Sequence, residues 1–165
     1  MNNDNQKDNK TNHLSGVVHV LLSQDYAIFF FAVILGVICD ALFSVRVLGG
    51  AIYQNIGFLF IIIGTIIIYW SQSTTRKMSK MVTQNRDLNF FLQGPYRYTR
   101  NPTNFALTLL ILGLGLLVNS IFLVIFILIT YVISRVFFIK KQDAILKERY
   151  GNVFLEYTRK VKDWI

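Results

Sequence analysis

The chain is poor in several things at once. It has one cysteine in 165 residues, Cys39, which excludes a disulfide scaffold. It has two histidines, His13 and His19, and neither has a Cys, Asp or Glu at metal-ligand spacing, so no metal site is expected. It has few acidic residues, 9 against 17 Lys and Arg, and a charged fraction of 16% where a soluble domain has roughly 25%. A basic surface interleaved with stacking aromatics is missing, which argues against a nucleic-acid partner. No basic segment leads straight into an apolar run with a small-residue cleavage site, so a cleaved signal peptide is not expected.

Apolar residues fill the space left by charge. They make up 53% of the chain, with 14 Phe, and this excludes disorder. After a polar tail and lead-in over residues 1–25, four apolar blocks follow: 26–45, 51–70, 102–118 and 121–139. Each has about the length a helix needs to cross some 30 Å of hydrocarbon. None alternates with period two, so helices rather than barrel strands are predicted. The stretch Ile61–Ile68 would suit a buried strand by composition, but its block is too long for one. Only Asn119 and Ser120 separate the last two blocks, which predicts a tight helical hairpin. The expected fold is all-α: a polytopic membrane protein with about four transmembrane helices and amphipathic C-terminal helices. It divides into residues 1–25, helices 1 and 2 over 26–70, and a core over 71–165.

The net charge of +8 is unevenly placed. Residues 71–102 carry Arg76, Lys77, Lys80, Arg86, Arg97 and Arg100 against Asp87, a net of +5. Residues 140–165 contribute +3. With four crossings these segments share one side with the N-terminus, and the positive-inside rule makes that side the cytoplasm. Arg76, Lys77 and Lys80 are then explained by orientation and by attraction to anionic lipid headgroups.

Two segments have the makings of a site. The first is the polar and aromatic run from Gln93 to Pro102. Gly94-Pro95 signals a turn. Asn101-Pro102 reads as a helix start, with Asn as N-cap and Pro at the first helical position. Free N–H groups there, flanked by Arg97 and Arg100, suit a carboxylate or phosphate. The second segment is Lys140–Ile165. The fourth membrane helix is expected to run unbroken into Lys140–Tyr150, with Gly151 as its C-cap. Val153, Phe154, Tyr157, Val161, Trp164 and Ile165 form one face of a further amphipathic stretch that can lie on a bilayer. Arg135 and Asp143 are eight residues apart and close to one face, and ions facing a membrane bundle point to function.

These residues carry a resemblance. GPYRYTRNP at 94–102, LLILGLGLLVNS at 109–120 and DAILKERYGNVFLEYTRKVKDWI at 143–165 resemble the isoprenylcysteine carboxyl methyltransferase and phospholipid methyltransferase-like membrane family. The likeness covers about residues 70–165. It implies an S-adenosylmethionine-dependent methyltransferase with a lipophilic acceptor drawn from the bilayer, set in a bacterial inner membrane with both termini cytoplasmic. The residues it implies for catalysis are Arg100, Arg135 and Asp143. For cofactor binding it implies Tyr96, Tyr98, Arg100, Asn101, Pro102, Gln142, Asp143 and Tyr150. Arg100 suits the cofactor carboxylate, Tyr96 and Tyr98 its adenine or sulfonium, and Asp143 its ribose or ammonium.

The sequence departs from the family pattern at several points. A Glu-Glu pair is replaced by Gln142-Asp143, a His by Asn101, a Tyr by Asn104 and a Gly by Ala106. The alternative reading is a non-catalytic member of the family that acts as an interaction partner. Elsewhere, Gly113 and Gly115 are expected to let helices approach closely, and Cys39 to pack in a core. Asp40 either pairs with Arg46 or lines an acceptor cavity.

Overall fold

The computed structural model describes residues 26–43, 45–46, 50–81 and 88–162. The polar tail with His13 and His19, the charged residues Arg86 and Asp87, and Trp164 and Ile165 lie outside these. Every regular element among the described residues is helical. In chain order they are α1 (Tyr26–Phe43), α2 (Ala51–Met81), the short α3 (Leu88–Phe91), a 3-10 turn (Gly94–Arg97), α4 (Pro102–Leu117), α5 (Ile121–Ile133), a π-helical turn (Ser134–Ile139), α6 (Lys140–Tyr150) and α7 (Asn152–Lys160).

Among the described residues three helices are long and apolar enough to span a membrane: Tyr26–Phe43, Ala51–Met78 and the continuous run Ile121–Glu148. The protein is an integral membrane protein. The expected third span, α4, has 16 residues, or roughly 24 Å at 1.5 Å per residue, which is short of the hydrocarbon thickness. The second block extends well past Trp70, because the helix continues through Ser71–Met81 after the apolar composition stops. The fourth block continues into α6 as expected, through a π-helical turn.

Glycines set the helix spacing. α2 and α4 run antiparallel with two points of backbone contact. A Cβ on Gly57 would lie 2.7 Å from the Gly113 carbonyl oxygen, and one on Gly64 would lie 2.8 Å from that of Ala106. No side chain fits at either glycine unless the helices move apart. Gly36 does the same for α1 and α5, where an added Cβ would lie 2.9 Å from the Leu123 Cα. Gly115 lies against Val124 and Leu123 of α5. Phe29, Ile111, Leu123 and Ile127 form the buried core between these helices.

At the α4–α5 connection Asn119 takes φ 57° and the Ser120 N–H donates to the Gly115 carbonyl at 2.9 Å. Ser120 then caps α5 by accepting from the Leu123 N–H at 3.2 Å. Arg46 donates to the carbonyl of Val118 at 3.2 Å. This places a cation at the C-terminal end of α4, where the helix dipole favours it. Asp40 keeps its Oδ1 buried without a hydrogen-bond partner.

The amphipathic pattern of α7 allows its apolar face to lie on the bilayer. That face is buried instead. Phe154, Tyr157 and Val161 pack with Phe91 in a second core. Phe91 stacks on Tyr157 with ring centroids 5.3 Å apart and meets Tyr150 edge-on at 5.0 Å. The amphipathic pattern is real, but the partner of its apolar face is the segment before the 3-10 turn rather than lipid.

Candidate functional site

The candidate site lies at one end of the bundle, opposite Arg46 and Val118. Its centre is the 3-10 turn Gly94–Arg97. Gly94 has φ +54°, a backbone conformation open to glycine, and a Cβ there would collide with the Thr74 side chain. The turn therefore lies directly on α2. Its other side is held by the C-terminal segment. The Tyr157 hydroxyl donates to the Tyr96 carbonyl at 2.7 Å, and the Arg100 N–H donates to the Lys162 carbonyl at 3.4 Å. Burial pushes the pKa of the Tyr157 hydroxyl up, above the ordinary tyrosine value, so it stays a donor.

Arg100 and Asp143 form an ion pair, Nη1 to Oδ2, at 2.6 Å. Their side chains are 13% and 27% exposed, so the pair is mostly shielded from water. It joins the loop before α4 to α6, across 43 residues of sequence. Beside Asp143, Gln142 is buried and its Nε2 has no hydrogen-bond partner.

Directly after Arg100, Asn101 and Pro102 help line a cleft of about 470 Å³ together with Tyr26, Gln72, Thr75, Arg76, Tyr96, Thr103 and Asn104. α4 starts as expected, with Asn101 at the N-cap position and Pro102 in the first turn, but the Asn101 side chain makes no bond to that turn. It borders the cleft instead. The Tyr96 hydroxyl is engaged with α2: Ser71 donates to it at 3.2 Å, and Thr75 lies 2.9 Å from it. Ser71 is also 2.9 Å from the Thr103 hydroxyl. No sequence pattern singled out Ser71, Thr75 and Thr103. Their one signal was the i, i+4 spacing of Ser71 and Thr75 just past an apolar run.

The remaining predicted residues are dispersed. Tyr98 is 60% exposed, with the Arg97 guanidinium 5.7 Å from its ring centre. Tyr150 belongs to the aromatic core around Phe91. Arg135 sits half-buried on the π-helical turn and is not among the residues lining the cleft. Asp143 makes its ion pair with Arg100 from the loop, although Arg135 lies on the same continuous helix. Beside Arg135, Ser134 accepts from the Asn104 amide at 3.5 Å, so the residue in the place of the family tyrosine ties α4 to the π-helical turn. Among the described residues no group of three His, Cys, Asp or Glu is placed to hold a metal.

A comparison with curated proteins and one with solved structures each return no match. The family model for phospholipid methyltransferases matches residues 53–153, from the start of α2 to the start of α7. That span takes in the ion pair and nearly all of the cleft, and it exceeds half of the chain. On this match, the chain belongs to the phospholipid methyltransferase family of membrane proteins.

Proposed function

We propose that the protein is an S-adenosylmethionine-dependent methyltransferase whose acceptor is a lipophilic molecule drawn from the bilayer. One observation carries this reading. The Arg100–Asp143 pair joins two segments distant in sequence at the end of the bundle that holds the cleft. The local chemistry fits the cofactor. Arg100 offers a guanidinium for a carboxylate, Asp143 a carboxylate for an ammonium or ribose hydroxyls, and Gln142 an unmatched buried amide donor.

When bound, S-adenosylmethionine supplies a methyl group on a positively charged sulfur. The work left to the chain is positioning. Arg100 and Asp143 hold the polar end, and Asn101 and Pro102 continue from them to the cleft wall. Methyl transfer is an in-line displacement, so fixing the acceptor against the methyl group supplies most of the rate. The acceptor atom is a carboxylate oxygen, an amine nitrogen or a thiol sulfur on a hydrophobic molecule. The site faces the cytoplasm, in keeping with the +5 and +3 charge of residues 71–102 and 140–165.

The test is calorimetric titration of S-adenosylmethionine into the detergent-purified protein. Incubation with labelled cofactor and a membrane lipid extract then identifies the species that gains the methyl group. Binding, with label passing to a lipid-soluble product, is expected. No binding at millimolar cofactor would sink the reading.

A further inference from the structure

The outward face of the bundle is an apolar belt with polar edges, and the edges fix its height. On α2 the exposed residues Gln54 and Asn55 form one edge, and Gln72 and Arg76 form the other. Between them Phe58, Leu59, Ile62, Ile66 and Trp70 face outward. Thr65 is exposed within the belt, a short hydroxyl that a membrane helix tolerates because it can turn back to a backbone carbonyl. From Asn55 to Gln72 the helix rises by about 26 Å.

The neighbouring helices give the same height. α4 has 16 residues between Asn101 and Asn119, or about 24 Å. α1 has 18 residues, or about 27 Å, with the exposed Arg46 beyond its end. α5 and the π-helical turn stay apolar outward from residue 121 to Phe137, or about 25 Å, before the exposed Lys140. The edges are also level with one another. At the cleft end Ser71 lies 2.9 Å from the Thr103 hydroxyl, and Tyr26 lines the same cleft as Gln72 and Thr103. At the far end Arg46 bonds the Val118 carbonyl, Phe43 packs on Phe122, and Gly57 lies against Leu117.

From these matched edges we infer that the lipid-facing surface is fitted to a thin bilayer, about 5 Å below the usual 30 Å of hydrocarbon, formed by lipids with short acyl chains. A helix that is too long for its bilayer can tilt, but one that is too short cannot stretch. Nor can α2 and α4 slide to lengthen the belt, because their backbones meet at Gly57 with Gly113 and at Gly64 with Ala106. The bilayer must yield instead, and short chains yield at the lowest cost. Trp70 and Tyr69 stand at the cleft-side edge, where amphipathic rings favour the headgroup level. This fit is independent of the methyl-transfer reading, since no ligand enters it.

The experiment reconstitutes the full-length protein in vesicles of phosphatidylcholine whose monounsaturated chains have fourteen, sixteen, eighteen, twenty or twenty-two carbons. The thermal midpoint is expected to be highest at fourteen or sixteen carbons and to fall as the chains lengthen. Gln54→Leu combined with Asn55→Leu moves the polar edge of α2 outward by about 3 Å. In that variant the maximum should shift towards longer chains. A second measurement needs no change on α2. With Trp164→Phe, Trp70 is the single tryptophan, and it faces lipid. Its quenching in mixed vesicles, with either the fourteen-carbon or the twenty-two-carbon lipid brominated, reports which lipid lies against the protein. The short chain should be favoured by roughly threefold or more, as a mismatch cost of fractions of a kcal/mol per Å implies. A maximum at eighteen carbons or more, a maximum unmoved by the two leucines, or equal quenching by both lipids overturns the inference.

Discussion

The hydroxyl of Tyr157 donates to the carbonyl of Tyr96 at 2.7 Å, across 61 residues of chain. This bond ties the C-terminal helix to the turn that faces the cleft. Tyr157→Phe keeps the ring stacked on Phe91 and removes only the donor. The loss should lower stability by about 1 kcal/mol. A drop of a few degrees in the thermal midpoint in detergent would register it. An unchanged midpoint would mean that the stacked rings alone hold α7.

The same hydroxyl makes an alkaline prediction. Burial raises its pKa in the fold above the ordinary value of 10.0. In the unfolded chain it ionises near that ordinary value, so above it the unfolded state holds fewer protons than the folded one. Stability is therefore unaffected by this group below about pH 10 and falls as pH rises beyond it. Comparing melts of the wild type and Tyr157→Phe between pH 9 and 11 isolates the effect. The wild type should lose more stability over that range, and parallel losses would contradict the assignment.

Arg100 and Asp143 should behave as one unit. Removing either leaves the other charge partly buried and uncompensated, so each single alanine variant is expected to weaken S-adenosylmethionine binding by tenfold or more. The double variant should cost less than the two singles combined, with a coupling of about 1–2 kcal/mol. Titration of all three variants closes this cycle. Additive losses would mean that the two residues act separately.

Contact between α2 and α4 rests on the absence of side chains. In Gly113→Val a Cβ would come within 2.5 Å of the Gly57 carbonyl and 2.9 Å of Ile61. The helices must separate, at a cost of about 1–3 kcal/mol. Size-exclusion profiles and melting in detergent should show it clearly. Gly151→Ala is a useful contrast: nothing lies within 4 Å of the added Cβ, and only the φ of +60° opposes it. It should fold with a milder loss.

Much of the fold was legible because hydrophobicity and helix length are local properties. The long run from Ile121 into α6, the short α4–α5 connection and the close packing at Gly113 all follow from nearby residues. The end of α2 was not legible. Apolar composition stops at Trp70, but composition marks where the hydrocarbon ends, not where the helix does. Asn101 stands at the N-cap position that its place before Pro102 implies, but whether its side chain bonds the first turn or is left at the cleft depends on tertiary neighbours. Helical spacing puts Asp143 and Arg135 close to one face, yet the ion pair of Asp143 is with Arg100, which only the tertiary fold brings near. Ser71, Thr75 and Thr103 were invisible for the same reason. A serine or threonine in a helix says nothing until its neighbour on another element is known.

The length of α2 has one more consequence. Its 31 residues reach about 46 Å, some 15 Å more than the hydrocarbon needs. Ser71 and Thr75 therefore stand on a rigid rod anchored by Gly57 and Gly64 below. Inserting one residue between Gly64 and Ser71 would lift the hydroxyls by about 1.5 Å and swing them by about 100° around the helix axis. Ser71 and Thr75 would then face away from Tyr96, although no residue at the cleft had been altered.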